Sequence, residues 1–546
     1  MKKLLILSLV LLVGSCSKSS RTPLAENEKP VYAQGYTART SSITADCYAS
    51  PTGVDTNTGA SISLAKQHIQ TCINAVSSGQ TVIAEQGTYV ENINFNGKNI
   101  TVASEFINSG LASDITGTTI DGNHAGPAVT MTNGENNNAK LIGVTIQNGY
   151  ASDMNSTGKG GGIWCYNSTP TINNLRIIRN SAENHGGGIS ASSATSTQPI
   201  ILENLDIENN NGGAMGGGIS LNDINASINN IKLINNFTPY GQTEGGGLYL
   251  NGVTIVGDLE KLYVYGNAAS FGGGIYVANI VPNTITNIKN VVIANNTTMY
   301  AKGQSDDCGA MIGAAGIDIH IDSSFNSTVN IINSTISTNK TQGAFTTGGL
   351  GVTIDSSNTS SFVNAVNSIF WGNTSCWQGF YTEYLNQILV NFGWGGLTNS
   401  TLRASYNNIE GSQTEVFSYS FNGATPMPYP FTTSTWLAGN INSDPLFINP
   451  VPILTPQGSE NYSISPSSPC VDTGTNAISI GGQSITIPVD DIIGTARPQN
   501  SIVDMGAYEI VQRSATGQPG TQLTAQPGVI PRSGIPSNGT VIHLHH

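Results

Sequence analysis

Residues 204–219 read NLDIENNNGGAMGGGI and contain both markers of a repeat that fills the middle of the chain. The first marker is a pair of asparagines, Asn204 and Asn210, which brackets a short apolar segment. The second is three glycines followed by an apolar residue, here Ile219. Glycine triplets begin at Gly160, Gly186, Gly216, Gly245 and Gly272, and the other pairs are Asn174/Asn180, Asn230/Asn236, Asn290/Asn296, Asn333/Asn339 and Asn367/Asn373, with Lys261/Asn267 as an imperfect member. Two markers at a regular period predict a stacked solenoid.

The segments between the markers alternate between apolar and polar residues. Ile219 and Leu221 alternate with Ser220 and Asn222, and a period of two is typical of strands with one buried face. The connections are too short and too polar to hold crossover helices. We therefore predict an all-β protein, a right-handed parallel β-helix of about ten coils. Glycine would allow tight corners, while stacked asparagines would tolerate left-handed backbone and bond one another in a ladder.

The start of this region predicts a cap for the open apolar end of the solenoid. Residues 48–55 read YASPTGVD and lead into a helical pattern that begins near Ser63 and stops at Gly79. The apolar face of this short N-terminal capping helix is formed by Ala65, Ile69, Cys72, Ile73 and Val76. Terminal repeats need such an element because their neighbour on one side is missing.

The far end carries four motifs in a fixed order. Residues 367–373 read NSIFWGN, 444–447 read DPLF, 468–474 read SPCVDTG and 504–509 read DMGAYE. Together they resemble the closing module of bacterial choice-of-anchor Q β-helix proteins, although Cys470 stands where alanine is usual. The glycine repeats resemble the pectin-lyase-like parallel β-helix class and chlamydial-type surface proteins. The resemblance spans about residues 45 to 510 and implies fold and surface location, but such folds host lyases, hydrolases, adhesins and scaffolds.

The first residues have the pattern of an export signal. Lys2 and Lys3 precede an apolar run from Leu4 to Val13, which is too short to span a membrane permanently. The segment resembles a bacterial lipoprotein signal, which implies lipidation of Cys16 and a lipid-anchored location at the outer membrane or cell surface of a Gram-negative bacterium. The predicted divisions are a signal peptide (1–15), a lipidated tether (16–44), a cap and first coil (45–100), the β-helix (101–410), the closing module (411–511) and a disordered tail (512–546).

Composition limits the partners. Charged residues make up 10% of the chain and the formal net charge is −13. Nucleic acid needs a basic footprint, and polyanionic glycans would need a bridging cation. We therefore expect a neutral or weakly charged glycan or a surface protein as partner, no nucleic acid, and membrane contact only through the N-terminal lipid. No cofactor is required by any motif.

Four cysteines are candidates for disulfide bonds, because export permits oxidation. Cys47 enters the first strand and Cys72 lies on the buried face of the cap helix, so these two could pair. Cys308 and Cys376 lie in the two longest insertions and are a second candidate pair. Cys165 points inward by alternation with Ile163 and is predicted to be a core residue.

The outward positions after the glycines predict a binding face. Trp164, Tyr249 and Tyr276 occupy them, and aromatic faces on a weakly charged sheet suit sugar rings. The alternative is that tyrosine is simply a good strand residue with a polar tip.

One strand, at residues 318–322, places Asp318, His320 and Asp322 on its outer face. Long insertions before and after it carry Asp306 and Asp307, then Trp377 and Tyr381, and could overhang it to form a cleft. Paired carboxylates could serve glycoside hydrolysis, with Asp318, His320 and Asp322 as candidate catalytic residues. Oxygen ligands from Asp306, Asp307, Asp322 and Asp355 would suit Ca²⁺. Alternatively, these charges are ordinary solvated surface.

The missing motifs weaken the enzymatic interpretation. The Asn-Thr-Asp, Gly-His-Gly and Arg-Ile-Lys signatures of polygalacturonase-like relatives do not occur, and neither does a nucleophile elbow or a phosphate loop. The leading prediction is a non-catalytic, carbohydrate-binding or adhesive scaffold. The alternatives are a polysaccharide hydrolase or lyase centred on Asp318, His320 and Asp322, and a purely structural surface component.

Overall fold

The computed structural model describes residues 42–511, apart from 154–157, 193–196, 240, 282, 299–312, 322–325, 342–345, 355–360, 378–379, 393–401, 421–426, 431–435 and 451–460. Almost every strand pair in it is parallel, and most strands pair with the equivalent strand of the next repeat. The fold is therefore a parallel β-helix, as the repeat predicts. The number of coils and the domain boundaries stay predictions.

Two large sheets run along the solenoid. The long sheet contains 20 strands in the described residues. In chain order they are Cys47–Ala49, Thr81–Ala84, Gly87–Val90, Thr101–Ser104, Thr118–Asp121, Lys140–Ile142, Thr145–Gln147, Thr171–Ile178, Ile200–Glu208, Asn225–Ile234, Thr254–Ile255, Leu259–Tyr265, Ile285–Lys289, Val292–Ala294, Thr328–Ile332, Thr335–Ser337, Phe362–Val366, Ile369–Trp371, Leu402–Ser405 and Asn408–Ile409.

The glycine sheet consists of the strands that follow the glycine triplets and their equivalents. Its 12 strands are Ile93–Asn94, Val129–Met131, Ile163–Tyr166, Ile189–Ser192, Ile219–Asn222, Leu248–Asn251, Ile275–Ala278, Ile317–Ile321, Leu350–Ile354, Ile388–Phe392, Val416–Ser420 and Met427–Pro430. Short strands form the third side of the coil: Tyr150–Ala151, Ser181–Ala182, Asn211–Gly212, Ala268–Ala269, Thr297–Thr298, Lys340–Thr341 and Thr374–Trp377. The last of these pairs antiparallel with Phe380–Leu385. Two hairpins near the C-terminus pair Phe447–Asn449 with Asn461–Ile464 and Ile478–Ile480 with Gln483–Ile485.

The interior of the coil is filled by stacked aliphatic side chains, with Ile163, Ile219 and Leu221 fully buried and Cys165 only 1% exposed. These residues belong to one continuous hydrophobic cluster that runs along the solenoid. The predicted inward direction of the residue after the glycines is therefore confirmed. Each coil is stabilised by burial against its neighbours, because a single coil cannot enclose a core.

The second asparagine of each pair forms a buried ladder through the coils. Asn210 donates from its backbone N–H and from Nδ2 to Oδ1 of Asn236, both at 3.0 Å. Its Nδ2 also donates to the carbonyl of Ile177 in the preceding coil, at 2.9 Å. The same pattern repeats along Asn180, Asn210, Asn236, Asn267, Asn296, Asn339 and Asn373. The predicted ladder is present, and its amides are satisfied where an unpaired one would be costly.

The first asparagine of each pair makes a corner in left-handed backbone. Asn204 has φ +55°, Asn290 φ +50° and Asn367 φ +51°. Lys261, the imperfect member, keeps the same conformation with φ +58°. Asparagine accepts this region more readily than other non-glycine residues, which explains its recurrence there.

The cap helix spans Ile69–Ala75, with Ile69, Cys72 and Ile73 buried. Its predicted start near Ser63 is wrong, since Ile62–Leu64 forms a separate 3₁₀ turn. A carboxylate from outside the helix sets the actual start, because the Glu91 side chain accepts the N–H groups of Ile69 and Gln70 at 2.8 and 3.0 Å. Cys47 and Cys72 are joined by a disulfide, with Cα atoms 5.6 Å apart, as the sequence suggests.

Two other helices, Phe106–Ser109 and Ala112–Gly117, cover the outer face of the long sheet near the N-terminus. Phe106 and Ile115 pack there against Ile142. Within the described residues, no helix has the length and apolar character needed to cross a membrane.

The closing module returns along the other end of the same face and bonds to the row of left-handed corners. Lys261 Nζ lies 2.8 Å from Asp490 Oδ2, and Asn290 Nδ2 donates to the Asp490 carbonyl at 2.8 Å. Asn333 Nδ2 donates to the carbonyl of Asp504 at 3.0 Å. The one departure from asparagine in the pairs is thus the residue that makes an ion pair with the module.

The closing module is organised around a buried ion pair. Arg497 Nη1 lies 3.0 Å from Glu509 Oε2, and the two side chains are 0% and 1% exposed. Arg497 also donates to the carbonyls of Asp504 and Gly506. The motif at 504–509 therefore supplies the carboxylate and carbonyl acceptors that surround one guanidinium group.

Candidate functional site

The outer face of the glycine sheet carries two rows of side chains in register. The first outer row contains Trp164, Ser190, Ser220, Tyr249, Tyr276, Asp318 and Gly351. The second outer row lies two residues further along each strand and contains Tyr166, Ser192, Asn222, Asn251, Ala278, His320 and Thr353. Every predicted outward residue whose side chain the structure describes belongs to one of these rows.

Apart from the partly buried Trp164, the first outer row is covered, although it faces away from the core. Tyr249 is 4% exposed, Tyr276 6% and Asp318 3%. The cover comes from the glycine turns: the first glycine of each triplet lies against the strand that follows, so a Cβ on Gly272 would be 2.7 Å from Cβ of Tyr276. Only glycine allows this approach, and Gly272 also has φ +57°.

The residues just before the triplets form a ladder of their own above the strands. Lys159, His185, Met215, Glu244 and Phe271 pair coil to coil in parallel register. We call this the turn row. It brings Glu244 close to Tyr276 and Tyr249, whose hydroxyls help to offset the effect of burial on the pKa of the Glu244 carboxyl. The sequence interpretation missed Glu244, although its position directly before a triplet is a signal that could have been used.

Tyr249 and Tyr276 stack on each other with ring centroids 5.7 Å apart and planes inclined by 4°. The ring of His320 follows Tyr276 at 5.0 Å with a tilt of 39°. Burial and the charge of Glu244 raise the pKa of both tyrosines. Their role as sugar-stacking rings stays a prediction, and their burial means that a sugar would reach them only at their edges.

Asp318 and His320 form a pair at the end of this stack. His320 Nε2 lies 3.2 Å from Asp318 Oδ1, with the imidazole 34% exposed and the carboxylate 4%. The backbone N–H of Ala314 donates to Asp318 Oδ2 at 3.1 Å. Burial alone would lower the pKa of His320, but the charge and hydrogen bond of Asp318, with the charge of Glu244, raise it overall. Burial raises the pKa of Glu244, partly offset by His320 and the tyrosine hydroxyls.

The second outer row is partly exposed and, apart from Ala278, polar. Asn251 Nδ2 donates to Asn222 Oδ1 at 3.2 Å, and Asn279 Nδ2 donates to Asn251 Oδ1 at 2.6 Å. Tyr166, at the N-terminal end of the row, is 49% exposed. Amides that are fixed by one another but still reach solvent can donate to and accept from a bound hydroxyl group.

Two buried polar atoms near the start of the rows have no hydrogen-bond partner in the structure. They are Trp164 Nε1 and His185 Nδ1. Burial and the charge of Lys159 lower the pKa of His185 to about 4, so the ring is neutral at pH 7. Trp164 is only partly buried, and its predicted ligand-binding role stays a prediction.

Several predicted site residues lie outside the described residues. These are Cys16, Asp306, Asp307, Cys308, Asp322 and Asp355. Cys376, Trp377 and Tyr381 lie in the described strands Thr374–Trp377 and Phe380–Leu385, but their side chains fall outside the described part. The overhanging cleft, the Ca²⁺ site and the Cys308–Cys376 bond therefore stay predictions. Among the described side chains, no group of three or more potential metal ligands occurs.

Comparisons with known proteins identify no family for the chain. No family model matches it, and no curated protein matches it. Among solved structures it is similar to pectate lyase Pel9A, with 15% identity, a TM-score of 0.40, and coverage of 85% of this chain and 96% of that one. It is also similar to XylC, solved in complex with xylose, with 10% identity, a TM-score of 0.37, and coverage of 86% and 98%. Such distant likenesses carry no argument about activity, which has to come from this chain's own residues.

Proposed function

We propose that this protein is an exported, lipid-anchored cell-surface β-helix that binds a neutral or weakly charged glycan without transforming it. The observation that supports the proposal most directly is the second outer row, where half-exposed amides and hydroxyls follow one another in register. A regular row of fixed polar groups matches a polymer that offers hydroxyl groups at a regular spacing. The location and the lipid anchor rest on the export signal and Cys16.

The chemistry of the row favours hydroxyl groups over charged ones. Asn222 and Asn251 offer both donors and acceptors, while Tyr166 adds an exposed ring that can stack on the apolar face of a sugar. A polyanion is disfavoured by two carboxylates close to the row, Glu244 and Asp318. The net charge of −13 acts in the same direction.

Native affinity electrophoresis tests the proposal. The full chain would run through gels that contain neutral or acidic polysaccharides, with calcium present or chelated. We expect a neutral polysaccharide to retard the protein. Asn251→Ala should lower the affinity for that polysaccharide about tenfold, because the variant loses a hydrogen-bonding group at the centre of the row. The matched control is Gln67→Ala, which removes an exposed amide from the N-terminal cap region. Equal retardation of both variants would contradict the assignment to the row.

The Asp318–His320 pair supports a second candidate, a polysaccharide-degrading enzyme. A carboxylate that orients a partly exposed imidazole is an arrangement used for general acid–base catalysis. In the same gels, staining for clearing zones would reveal turnover. Clearing that disappears with Asp318→Asn while retardation remains would favour the enzyme over the binding protein. Neither retardation nor clearing in any gel would favour a structural surface component.

A further inference from the structure

A groove of about 660 Å³ lies between the closing module and the outer face of the long sheet. Trp371 lines it from the solenoid, and Phe447, Asp444 and Ser467 line it from the module. It lies away from both outer rows, since Trp371 belongs to the strand Ile369–Trp371 of the long sheet. A volume of this size is within the usual range of small-molecule sites, ~300–1,000 Å³.

The two walls of the groove are joined by specific contacts. Phe447 packs edge-on against Tyr462, with centroids 5.5 Å apart at 75°. Tyr462 is fully buried, and its hydroxyl lies 2.8 Å from Oγ1 of Thr338 on the solenoid side. On that side Ser337 Oγ donates to the Trp371 carbonyl at 2.7 Å. The groove is therefore formed before any ligand arrives, which lowers the entropic cost of binding.

The rim of the groove contains a strained residue. Leu446 has φ +49°, a conformation that bulky residues rarely adopt. It is held there because its N–H donates to Asp444 Oδ1 at 2.9 Å and its carbonyl accepts the N–H of Ser465 at 2.9 Å. Its side chain nevertheless remains 39% exposed, and Ile448 is 49% exposed. Strain of this kind persists where the surroundings fix a particular surface.

The lining combines aromatic and aliphatic surface with hydroxyl groups and one carboxylate. Trp371 and Phe447 supply rings, and the hydroxyls of Ser465 and Ser467 lie 2.8 Å apart. Among the lining residues that the structure describes, Asp444 is the only one with an ionisable side chain, and its negative charge disfavours anions. Rings beside hydroxyls and a carboxylate acceptor suit a sugar, whose C–H face is apolar and whose edge is polar.

We propose that this groove is a separate binding site for a short neutral saccharide. It does not rest on glycan binding by the second outer row, because no residue is shared between the two surfaces. The two sites would let the protein bind two parts of one glycan, or two glycans, on different faces of the solenoid.

Calorimetric titration of the full chain tests this proposal. The probes are cellotetraose, xylotetraose, maltotetraose and mannotetraose, with tetragalacturonate as the anionic contrast. At least one neutral tetrasaccharide should bind, and the anionic one should bind much more weakly. Trp371→Ala and Ser467→Tyr should each weaken binding about tenfold or more, the first by removing a ring and the second by filling the groove. Ser63→Tyr, at an exposed serine of the cap, is the matched control.

The outcomes separate this site from the second outer row. Loss of binding in Ser467→Tyr but not in Asn251→Ala supports the groove, and Ser467 is exposed, so folding should survive the change. Loss in Asn251→Ala alone assigns the saccharide to the row and overturns the groove. Absence of binding heat with all four neutral probes also overturns the groove proposal. Retardation by polymers in the gels tests the second outer row independently of that result.

Discussion

The outer faces of the long sheet and the glycine sheet are built from the same repeats, but they differ in which parts of the chain cover them. The long sheet is covered at one end by the helices Phe106–Ser109 and Ala112–Gly117 and at the other by the closing module. Some charged groups on that side are shielded from water, such as Lys289, which is 6% exposed and lies 2.7 Å from Asp258. The glycine sheet covers its first outer row with its own turns and leaves the second half-exposed.

The difference shows how a solenoid can reserve one face for stability and another for recognition. Under the closing module, polar groups of the long sheet meet fixed intramolecular partners, such as Asp490 for Lys261. Those of the second outer row bond to one another and keep partial access to solvent. Long-sheet substitutions should therefore change the free energy of unfolding, and second-row substitutions should change binding.

The largest expected effect on the long-sheet side comes from Arg497→Ala. The change leaves the Glu509 carboxylate buried without its partner, which typically costs about 3–5 kcal/mol. We expect the urea midpoint to fall and the closing module to be released in an early, separate transition. Arg176→Ala is the control, because its bond to Glu208 is 3.3 Å long and the two side chains are 35% and 24% exposed. That variant should lose at most about 1 kcal/mol of unfolding free energy. Similar losses in both variants would contradict the distinction between the buried and the partly exposed ion pair.

A pH effect of intermediate size is expected at Asp206, in the middle of the long sheet. The residue is 4% exposed, and burial raises its pKa to about 7, although the charge of Lys232 opposes the shift. Because the folded pKa exceeds the unfolded value of about 3.9, the folded state binds more protons, and stability should fall as pH rises from about 4 through 7. Asp206→Asn should remove up to roughly 4 kcal/mol of this dependence.

Thermal melts of Asp206→Asn and the parent at pH 4, 6 and 8 would check this. The variant should gain stability relative to the parent as the pH rises. If the melting temperatures of the two proteins changed in parallel with pH, Asp206 would be ionised without an energetic cost. That result would contradict the effect expected from its burial.

The smallest effect concerns the turns that cover the first outer row. Gly216 has φ +67°, and a Cβ there would overlap the carbonyl oxygen of Ile219. Gly241 has φ +73°, but a Cβ there meets none of the described atoms within 4 Å. Gly241→Ala should lower the free energy of unfolding by about 1 kcal/mol through backbone conformation alone. Gly216→Ala should lower it by about 2–3 kcal/mol, because the steric overlap adds to the conformational cost. Equal losses in chemical denaturation would show that the turn has room for a side chain.

The repeat itself could be predicted from the sequence because its causes are local. Left-handed corners select asparagine, tight turns select glycine, and alternation sets which side chains enter the core. Ile219 and the ladder partner Asn236 were therefore assigned correctly from the residues alone.

The candidate site could be predicted only in part, because its cover depends on distant contacts. Alternation identified Tyr276 and Asp318 as outward, but it does not show that a turn brings Glu244 above them. The path of the closing module depends on contacts such as that between Asn333 and Asp504, which are 171 residues apart. No periodic pattern encodes such a contact. Lys261, which replaces asparagine in the repeat, is the one local sign in the sequence that the closing module docks there.

The docking of the closing module along the corner row also limits how this chain could change in evolution. Solenoids usually gain and lose coils freely, since each coil contacts only its neighbours. Here Lys261, Asn290, Asn333 and Asn367 must each meet a particular part of the module, so an added coil between them would shift every later partner by one step. Coils before Lys261 are free of that constraint. Changes in length among relatives are therefore expected in the first half of the solenoid, with the stretch under the module kept constant in number.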